Sequence, residues 1–576
     1  MNLPPYLLPS PDGVPWLTLL LLSPLLGMLL VGLAGWLRLD DRTVRLGATA
    51  WMGVPIALAA VVWARFDPAA TAAGQGAVQL VEKVPWINAI RVDYFVGVDG
   101  LSLPLVLLTV AMAPVAALAS WGLTDRAKAH YALLLLLEAA MLGYFMALDF
   151  FFFFIFWEFS LVPAFFLIQS WGRENRRYAA FKFFVYTMAG SIGLLLLFQV
   201  LYLATREAGV GGTGFGTWNL IDLGRLGMGL PVGEVTASLR DMLYAYMNRI
   251  GVVRALGAGG EFPLLYTSIA FWAIFVAFAI KLAVWPFHTW LPDAYAEAPT
   301  AGSILLSAVM SKMGAYGMLR IMLPFVPDAA QYFAPVMGGL ALVGIVAGAF
   351  GALANTAGDI KRLIGYTSIN HMGYVMLAIA AAAALPGGAS SGDAGVLADS
   401  RAIALNGAIM QMVAHGLSTG ALFYLAGALH ARTGSWSLAD FGGLRVVAPA
   451  FAGVMGAAMF ANLGLPGLAG FVGEFLIFRG AWATLPLFTA LATVGLIVTA
   501  LALLLMFQRV FLGPLNERWA PRAEAPGFSD LRPAELWTML PVLAVLLALG
   551  VYPAPIVGLA NAAATQLVAV FQNVLS

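Results

Sequence analysis

The sequence contains no cysteine, and only 10% of its residues are charged. Without cysteine the chain forms no disulfide and ligates no iron–sulfur cluster through thiolates. A soluble domain carries roughly a quarter charged residues and under half apolar ones. Here 61% of 576 residues are apolar and the mean hydropathy is +0.88. At one domain per ~150 residues, a string of soluble domains would need far more charge to cover its surfaces. The net charge is +1, so no basic field attracts nucleic acid. Lysine is scarce as well, with six against 24 arginines. These absences leave a polytopic membrane protein.

Apolar runs of the ~20 residues needed to cross a bilayer recur along the whole chain. They predict an all-α fold with about fourteen spans, near 16–37, 44–64, 101–122, 131–148, 150–171, 178–205, 264–284, 298–325, 331–354, 363–384, 401–430, 450–478, 484–508 and 535–556. No Lys or Arg precedes the first run and no small-residue cleavage site follows it, so it reads as a span rather than a leader. The odd-numbered connections hold sixteen Lys and Arg, among them Arg173, Arg176, Arg177, Lys361, Arg362 and Arg522. The even ones hold ten, five of them in the long stretch 206–262, and several carry acids such as Asp149 and Asp328. The positive-inside rule then places the odd connections in the cytoplasm and both termini outside, in a bacterial inner membrane. Stretch 206–262 is Gly-rich, with a short helix expected near 234–250. Its Gly209, Gly211 and Gly214 spell a dinucleotide fingerprint, but that pattern has meaning only in a strand–turn–helix unit, and here a span precedes it. It reads as a flexible outward loop.

Charge inside a bilayer costs about 2.5–3.5 kcal/mol per residue on insertion scales and marks function by default. The mid-span groups are Glu138, Glu158, Lys182, Lys281, Lys312, His371, His415 and Glu474. Three of the six lysines lie inside spans, against one arginine, Arg320, near a span end where it can snorkel. Lysine gives up its proton on burial and arginine does not, so the usage favours groups that exchange protons. The bland alternatives are a structural pair near a helix end for Glu138 and Lys182, and helix–helix hydrogen bonds for the two histidines.

Two of these groups sit beside helix breaks. Pro286 follows Lys281 and frees the carbonyl of Leu282, and Pro292 ends a short segment that carries His288. Gly464, Pro466, Gly467, Gly470 and Gly473 lead into Glu474. Interrupted helices in corresponding positions of two halves mark transport sites at a repeat interface. Each break falls in the fourth helix of a group of five, spans 4–8 and 9–13, and five-helix units alternate in direction through the membrane. The expected division is therefore 1–125 for three N-terminal spans, 126–325 and 326–512 for two inverted half-channels, and 513–576 for span fourteen and a tail. No Asp lies mid-span to help cage a hard cation. The residues alone point to a proton translocator in which Glu158 faces Lys281 and a row of Glu, Lys and His relays the proton.

Six segments resemble a known family: GVDGLSLPLVLLT (97–109), FWEFSLVPAFFLI (156–168), KLAVWPFHTWLPDAYAEAPTAGSILLSAVMSKMGAYGMLR (281–320), DIKRLIGYTSINHMGYVML (359–377), MVAHGLSTGALFYLAG (412–427) and LGLPGLAGFVGEFLIF (463–478). They are similar to the antiporter-like proton-pumping subunits of complex I, the respiratory NADH:quinone oxidoreductase, over roughly residues 95–560. Glutamate at 474, where related chains carry lysine, together with an end soon after span fourteen, matches the M type (chain 4 or D). The resemblance implies that Glu158 pairs with Lys281, that Lys312 links toward the centre, that His371 and His415 form a central axis, and that Glu474 ends the second half-channel. Glu138, Lys182 and His288 match named roles less clearly. It also implies no cofactor or metal in this chain, with NADH, FMN, iron–sulfur clusters and quinone held by partner subunits. The partners implied are the L and N chains, small membrane chains and, through them, the redox arm. The long 206–262 stretch departs from the family pattern. The alternative is a subunit of a multi-subunit Na⁺/H⁺ antiporter or of a membrane-bound hydrogenase. A pure anchor would not need the mid-span charges, and an independent porter lacks an evident substrate pocket.

Overall fold

The computed structural model describes residues 4–72, 77–212, 214–251, 263–385, 394–521 and 527–573. Thr213 and 252–262 of the long loop, and Arg522 among the connection charges, lie outside the described residues. Eleven described helices are long and apolar enough to cross a membrane. They coincide with eleven of the expected spans. The other three expectations fall on Leu103–Ala119, on the polar-studded Ile360–Ala383, and on the broken pair Pro449–Asn462 and Ala469–Trp482. The protein is a multi-pass, mainly helical membrane protein.

Helix Pro486–Phe511 shows how such a sequence packs. Leu487, Leu491, Val494, Ile497, Leu501 and Leu504 recur every three or four residues and are exposed, whereas Thr489, Ala492, Gly495, Thr499 and Ala502 are buried. Lipid is as apolar as leucine, so large residues face outward while small ones let backbones approach. At Gly495 a Cβ would lie 2.2 Å from Ile345 Cγ2. Helix Thr300–Phe325, by contrast, is buried on nearly all sides and forms the centre of the bundle.

The structure adds three features to the expected all-helical scheme. A small sheet joins Leu7–Pro9, parallel, to Val78–Ile87, which pairs antiparallel with Val92–Val98 in the register Glu82↔Val96 and Val84↔Tyr94. Alternation of polar and β-branched residues in VQLVEKV and VDYFVGV suits a pleated ribbon, and Arg91 turns it at φ +57°. Glu82 then caps the first helix, accepting from Leu17 N at 2.7 Å and Thr18 N at 3.0 Å. Second, the expected C-terminal tail is a helix, Ala554–Asn573, because Ile556, Ala560, Ala563, Ala564, Leu567 and Phe571 form one apolar stripe. It is tied down by Asn406 Nδ2 to Asn561 Oδ1 (2.7 Å) and Gln566 Nε2 to Thr71 O (3.0 Å).

Third, the long loop is not simply flexible. Besides the expected helix, found at Leu239–Arg249, it holds Leu220–Gly227, capped by Asn219 and lying against Pro324 and Phe325. Trp218 pins it by stacking on Tyr202 and donating to Ile90 O at 2.9 Å. Gly209 and Gly214 turn the chain at positive φ directly after helix Arg176–Glu207, so no strand–turn–helix unit surrounds them. Tyr6, this loop and the C-terminal helix line one cavity, which puts both terminal segments and the loop on the same face.

Candidate functional site

Four expected residues from four different helices meet in one buried row. Lys312 lies just after a widened, π-helical turn, Leu306–Met310, which releases backbone carbonyls from the regular ladder. Ser307 O accepts from Lys312 Nζ at 2.5 Å, and Ser311 Oγ lies at 3.2 Å. The third neighbour of Nζ is His415 Nδ1, at 2.7 Å. The His415 and His371 rings follow at 5.2 Å between centroids. His371 Nδ1 then stands 3.3 Å from Glu474 Oε1. All four side chains are buried, Lys312 completely.

The surroundings of His371 let it change roles. Its Nδ1 faces both Glu474 Oε1 and Gln411 Nε2, the latter at 3.2 Å. Protonated, Nδ1 donates to the carboxylate; deprotonated, it accepts from the amide. Nε2 lies 3.3 Å from Asn462 Oδ1, whose amide nitrogen donates to Ser418 Oγ and Thr419 Oγ1 at 3.0 and 3.1 Å. The helix break makes room for Glu474: Gly464, at φ +80°, leaves a cradle that a Cβ would fill, 2.2 Å from Glu474 Oε2. With Nδ1 accepting from Lys312, the ring hydrogen of neutral His415 sits on Nε2, which is buried without a hydrogen-bond partner and is the next donor along the row.

A second group gathers around Lys281. Helix Pro263–Leu282 ends one residue after it, with Ala283 at φ +60°. Ala283 N and Val284 N close back onto Ile280 O and Ala279 O, a Schellman end. Trp290 Nε1 takes a second bond to Ile280 O at 2.8 Å. Lys281 Nζ donates to Ser160 Oγ at 3.2 Å and lies 4.8 Å over the Trp157 ring. Trp157 in turn donates to Ser191 Oγ at 2.9 Å. Glu158 is half-buried nearby with Oε1 unpartnered, and it makes no ion pair within 4.0 Å of Lys281 in this state. Serine, rather than glutamate, holds the ammonium. Among the described residues no hydrogen bond or ion pair joins Lys281 to Lys312; their helices touch at Gly314, where a Cβ would meet Phe278 O at 2.5 Å.

The three additional candidates lie apart from the row. Lys182 pairs with Asp293 at 2.8 Å, and Asp293 also meets Arg362 at 3.1 Å, so it ties the broken segment to two helices. Glu138 is completely buried with neither oxygen hydrogen-bonded, which differs from the structural-pair alternative. His288 is half-buried with Nδ1 unpartnered. The sequence reading missed Gln411, Asn462, Ser160 and Ser191. Gln411 carried a signal, since it precedes His415 by four residues and shares its helix face. It also missed His130, buried beside Ser120 Oγ at 2.8 Å, and Lys361, which donates to Ala298 O. Among the described residues no cluster of three His, Cys, Asp or Glu is arranged to hold a metal ion.

A buried row of ionisable groups within a bundle of membrane helices, flanked by two broken helices, is an arrangement that marks a class, the polytopic membrane proteins that handle ions. A family model described as "NADH:quinone oxidoreductase/Mrp antiporter, TM" matches residues 147–213, 239–391 and 394–500. A relative named NAD(P)H-quinone oxidoreductase chain 4, from Nostoc sp., is 33% identical and covers 97% of this chain and 92% of its own length. Another of the same name, from Trichormus variabilis, is 34% identical over 94% of this chain and 88% of its own. One chain of the structure described as respiratory complex I from Thermus thermophilus with bound NADH superposes with a TM-score of 0.75 at 26% identity, covering 96% of this chain and 99% of that one. An Mrp complex chain from Dietzia sp. shares the fold alone, with a TM-score of 0.72 at 20% identity. The chain belongs to the NADH:quinone oxidoreductase/Mrp antiporter membrane family, in its chain 4 group.

Proposed function

We propose that this chain is a proton-pumping membrane subunit of an NADH or related donor:quinone oxidoreductase, and that protons cross it through Lys281, Lys312, His415, His371 and Glu474, with Glu158 as the partner that draws Lys281 between two states. The observation that carries the reading is the buried row Lys312–His415–His371–Glu474, with its two histidine rings 5.2 Å apart between centroids. Lys312 and His415, and His371 and Glu474, stand within direct reach of one another, and a movement of the His415 or His371 ring completes the step between the two histidines. When Glu158 approaches Lys281, it favours the ammonium; when it withdraws, desolvation favours release. Glu138, Lys182 and His288 are additional candidates for proton transfer that stand outside the row.

The two half-channels, 126–325 and 326–512, are inverted units with Lys281 and Glu474 in equivalent places. Support comes from the paired breaks, Leu282–Trp290 and Asn462–Ala469, each in the fourth helix of its unit. The flanking segments 1–125 and 513–576 frame the pair. The chain lies in the bacterial inner membrane with its termini outside, supported by the Lys and Arg asymmetry of its connections. Redox chemistry belongs to partner subunits: a chain without cysteine supplies no thiolate for a cluster. NADH, FMN, iron–sulfur clusters and quinone are held there, and antiporter-like L and N chains adjoin this one. Energy therefore arrives as helix and side-chain rearrangement.

The test is Lys281→Met and Glu474→Gln in the assembled complex, with proton uptake by inverted vesicles measured against quinone reduction. Both variants are expected to assemble and to lose most proton uptake per quinone reduced, independent of Na⁺. Unchanged uptake in both variants would refute the relay. Uptake that follows Na⁺ instead would favour the antiporter alternative.

A further inference from the structure

The short helix Trp290–Glu297 stands between two breaks. Residues 283–289 before it are turns, and Ala298 and Pro299 after it are extended, at ψ 152° and 158°. These linkers leave an eight-residue helix that is joined to its neighbours chiefly through side chains. One flank is tethered. Asp293 pairs with Lys182 and Arg362, Arg173 N donates to Glu297 O at 2.9 Å, and Asn175 N donates to Glu297 Oε2 at 3.0 Å.

The two buried aromatic residues of this helix reach toward the two lysines, one each. Trp290 Nε1 donates at 2.8 Å to Ile280 O, the carbonyl just before Lys281. Tyr295 Oη donates at 2.9 Å to Leu306 O. Ser311 N, five residues on, donates to that same carbonyl, and this is the bond that widens the turn Leu306–Met310. A carbonyl has two lone pairs and accepts both. The widened turn then sets out the acceptors of Lys312. Ser307 O and Ser311 Oγ, with His415 Nδ1, occupy all three ammonium hydrogens. Ser311 Oγ is held by donating to Ser307 O at 2.9 Å, and Tyr295 Oη faces it. The Trp290 and Tyr295 rings meet edge to face at 6.3 Å between centroids. Burial requires that each polar tip find an acceptor. It does not require that the two acceptors be the carbonyls that position the two lysines.

We propose that Trp290–Glu297 couples the two lysine sites mechanically, with Trp290 and Tyr295 as positioning residues for proton transfer from Lys312. The inference rests on the relay reading above. Movement of the helix end beside Lys281 carries Trp290, and the short helix turns about its tethered flank. Tyr295 Oη withdraws from Leu306 O, the widened turn loses the outside bond that pins it, and Ser307 O and Ser311 Oγ leave Lys312 Nζ. With two of its three acceptors gone, the ammonium breaks one N–H bond, and that proton forms the N–H bond at His415 Nδ1. Neutral lysine and an imidazolium result, with charge conserved. Return of the short helix restores the three acceptors and readies Lys312 for the next proton. Trp290 and Tyr295 themselves exchange no proton.

The test uses the assembled complex in inverted vesicles. Tyr295→Phe keeps the ring and removes the bond to Leu306 O. It is expected to assemble at the parent's level and to lower protons moved per quinone reduced at least threefold. Trp290→Phe is expected to lower the ratio at least twofold. The second arm locks the hinge. A Cβ on Gly302 would lie 3.3 Å from Ala298 Cβ, close to the ~3.8 Å typical of a disulfide, and the chain has no native cysteine. With Ala298→Cys and Gly302→Cys together, oxidation fixes the short helix against the helix of Lys312. The ratio is expected to fall at least threefold on oxidation and to recover on reduction, while the parent complex behaves alike in both states. A helix that serves packing alone would leave the ratio indifferent to the disulfide. Where Tyr295→Phe fails to assemble, the disulfide decides. The parent's ratio in Tyr295→Phe or Trp290→Phe, or a ratio unchanged by reduction of the disulfide, overturns the proposal. If Lys312→Met stops pumping while these variants behave as the parent, only the coupling fails. If Lys312→Met pumps normally, the relay itself fails.

Discussion

Gly464→Ala separates fold from site in a single methyl group. The backbone there has φ +80°, and a Cβ would lie 2.2 Å from Glu474 Oε2 and 3.0 Å from its Cδ. Non-bonded heavy atoms settle near ~3.5 Å, so the carboxylate must retreat by roughly 1.3 Å. It now lies 3.3 Å from His371 Nδ1, and a shift of that size breaks the contact. Displacement of about 1 Å in a reacting group costs on the order of 100-fold. The left-handed conformation adds ~1–2 kcal/mol of backbone strain, which a large assembly tolerates because only a flexible side chain has to move. Gly467→Ala is the control: φ is +94° and nothing lies within 4 Å of its Cβ, so it shares the strain without the push. Both variants are expected to assemble in the membrane. Proton uptake per quinone in inverted vesicles is expected to fall at least tenfold in Gly464→Ala and little in Gly467→Ala. Equal behaviour of the two, or normal uptake in Gly464→Ala, would show that the position of Glu474 relative to His371 does not matter.

Gly314→Ala should act on the fold instead. Its Cβ would meet Phe278 O at 2.5 Å and Leu282 N at 2.7 Å, both backbone atoms that cannot swing aside; the overpacking costs ~1–3 kcal/mol. Less assembled complex on native gels is expected, with Gly32→Ala, which meets nothing within 4 Å, unaffected. Asp149 gives a pH signature outside the spans. Burial, only partly offset by donors at Asp93 N, Phe151 N and Phe152 N, pushes its carboxyl up to about 7 from 3.8. The folded chain thus holds a proton that the unfolded chain releases, so this contribution is complete below 3.8 and is lost as pH rises through about 7. Thermal unfolding followed from pH 5 to 8 should show declining stability, and Asp149→Asn should flatten the slope; a slope unchanged by the substitution would exclude Asp149 as its source.

Helix breaks and depth were legible along the chain because both are local. Proline at 286 and the glycines from 464 to 473 act within one turn, and the structure interrupts both helices there. The sheet and the terminal helix were not legible, because their signal is weak beside the membrane runs. Val78–Ile87 alternates only in part, and Ala554–Asn573 shows a single narrow apolar stripe in which alanines alternate with a few large residues. The 206–262 stretch misled for a related reason. Its glycines advertise freedom, but Trp218 anchors it to Ile90, Phe150 and Tyr202, all distant in sequence.

Composition by itself determined the solvent, the approximate spans and the short roster of ionisable groups too costly to bury without purpose. Those conclusions follow from one-dimensional quantities: hydropathy per residue and position along the membrane normal. Only the tertiary structure decided which members of the roster meet. Lys312 and His415 touch across 103 residues, whereas Glu158 stands off from Lys281 and leaves the ammonium to Ser160. A helix's depth is written in its own sequence, but its rotation and neighbours are set where small residues let backbones close, at Gly314 against Phe278 and Gly348 against Asn370. Packing of that kind belongs to pairs of helices, and no single stretch of sequence contains it.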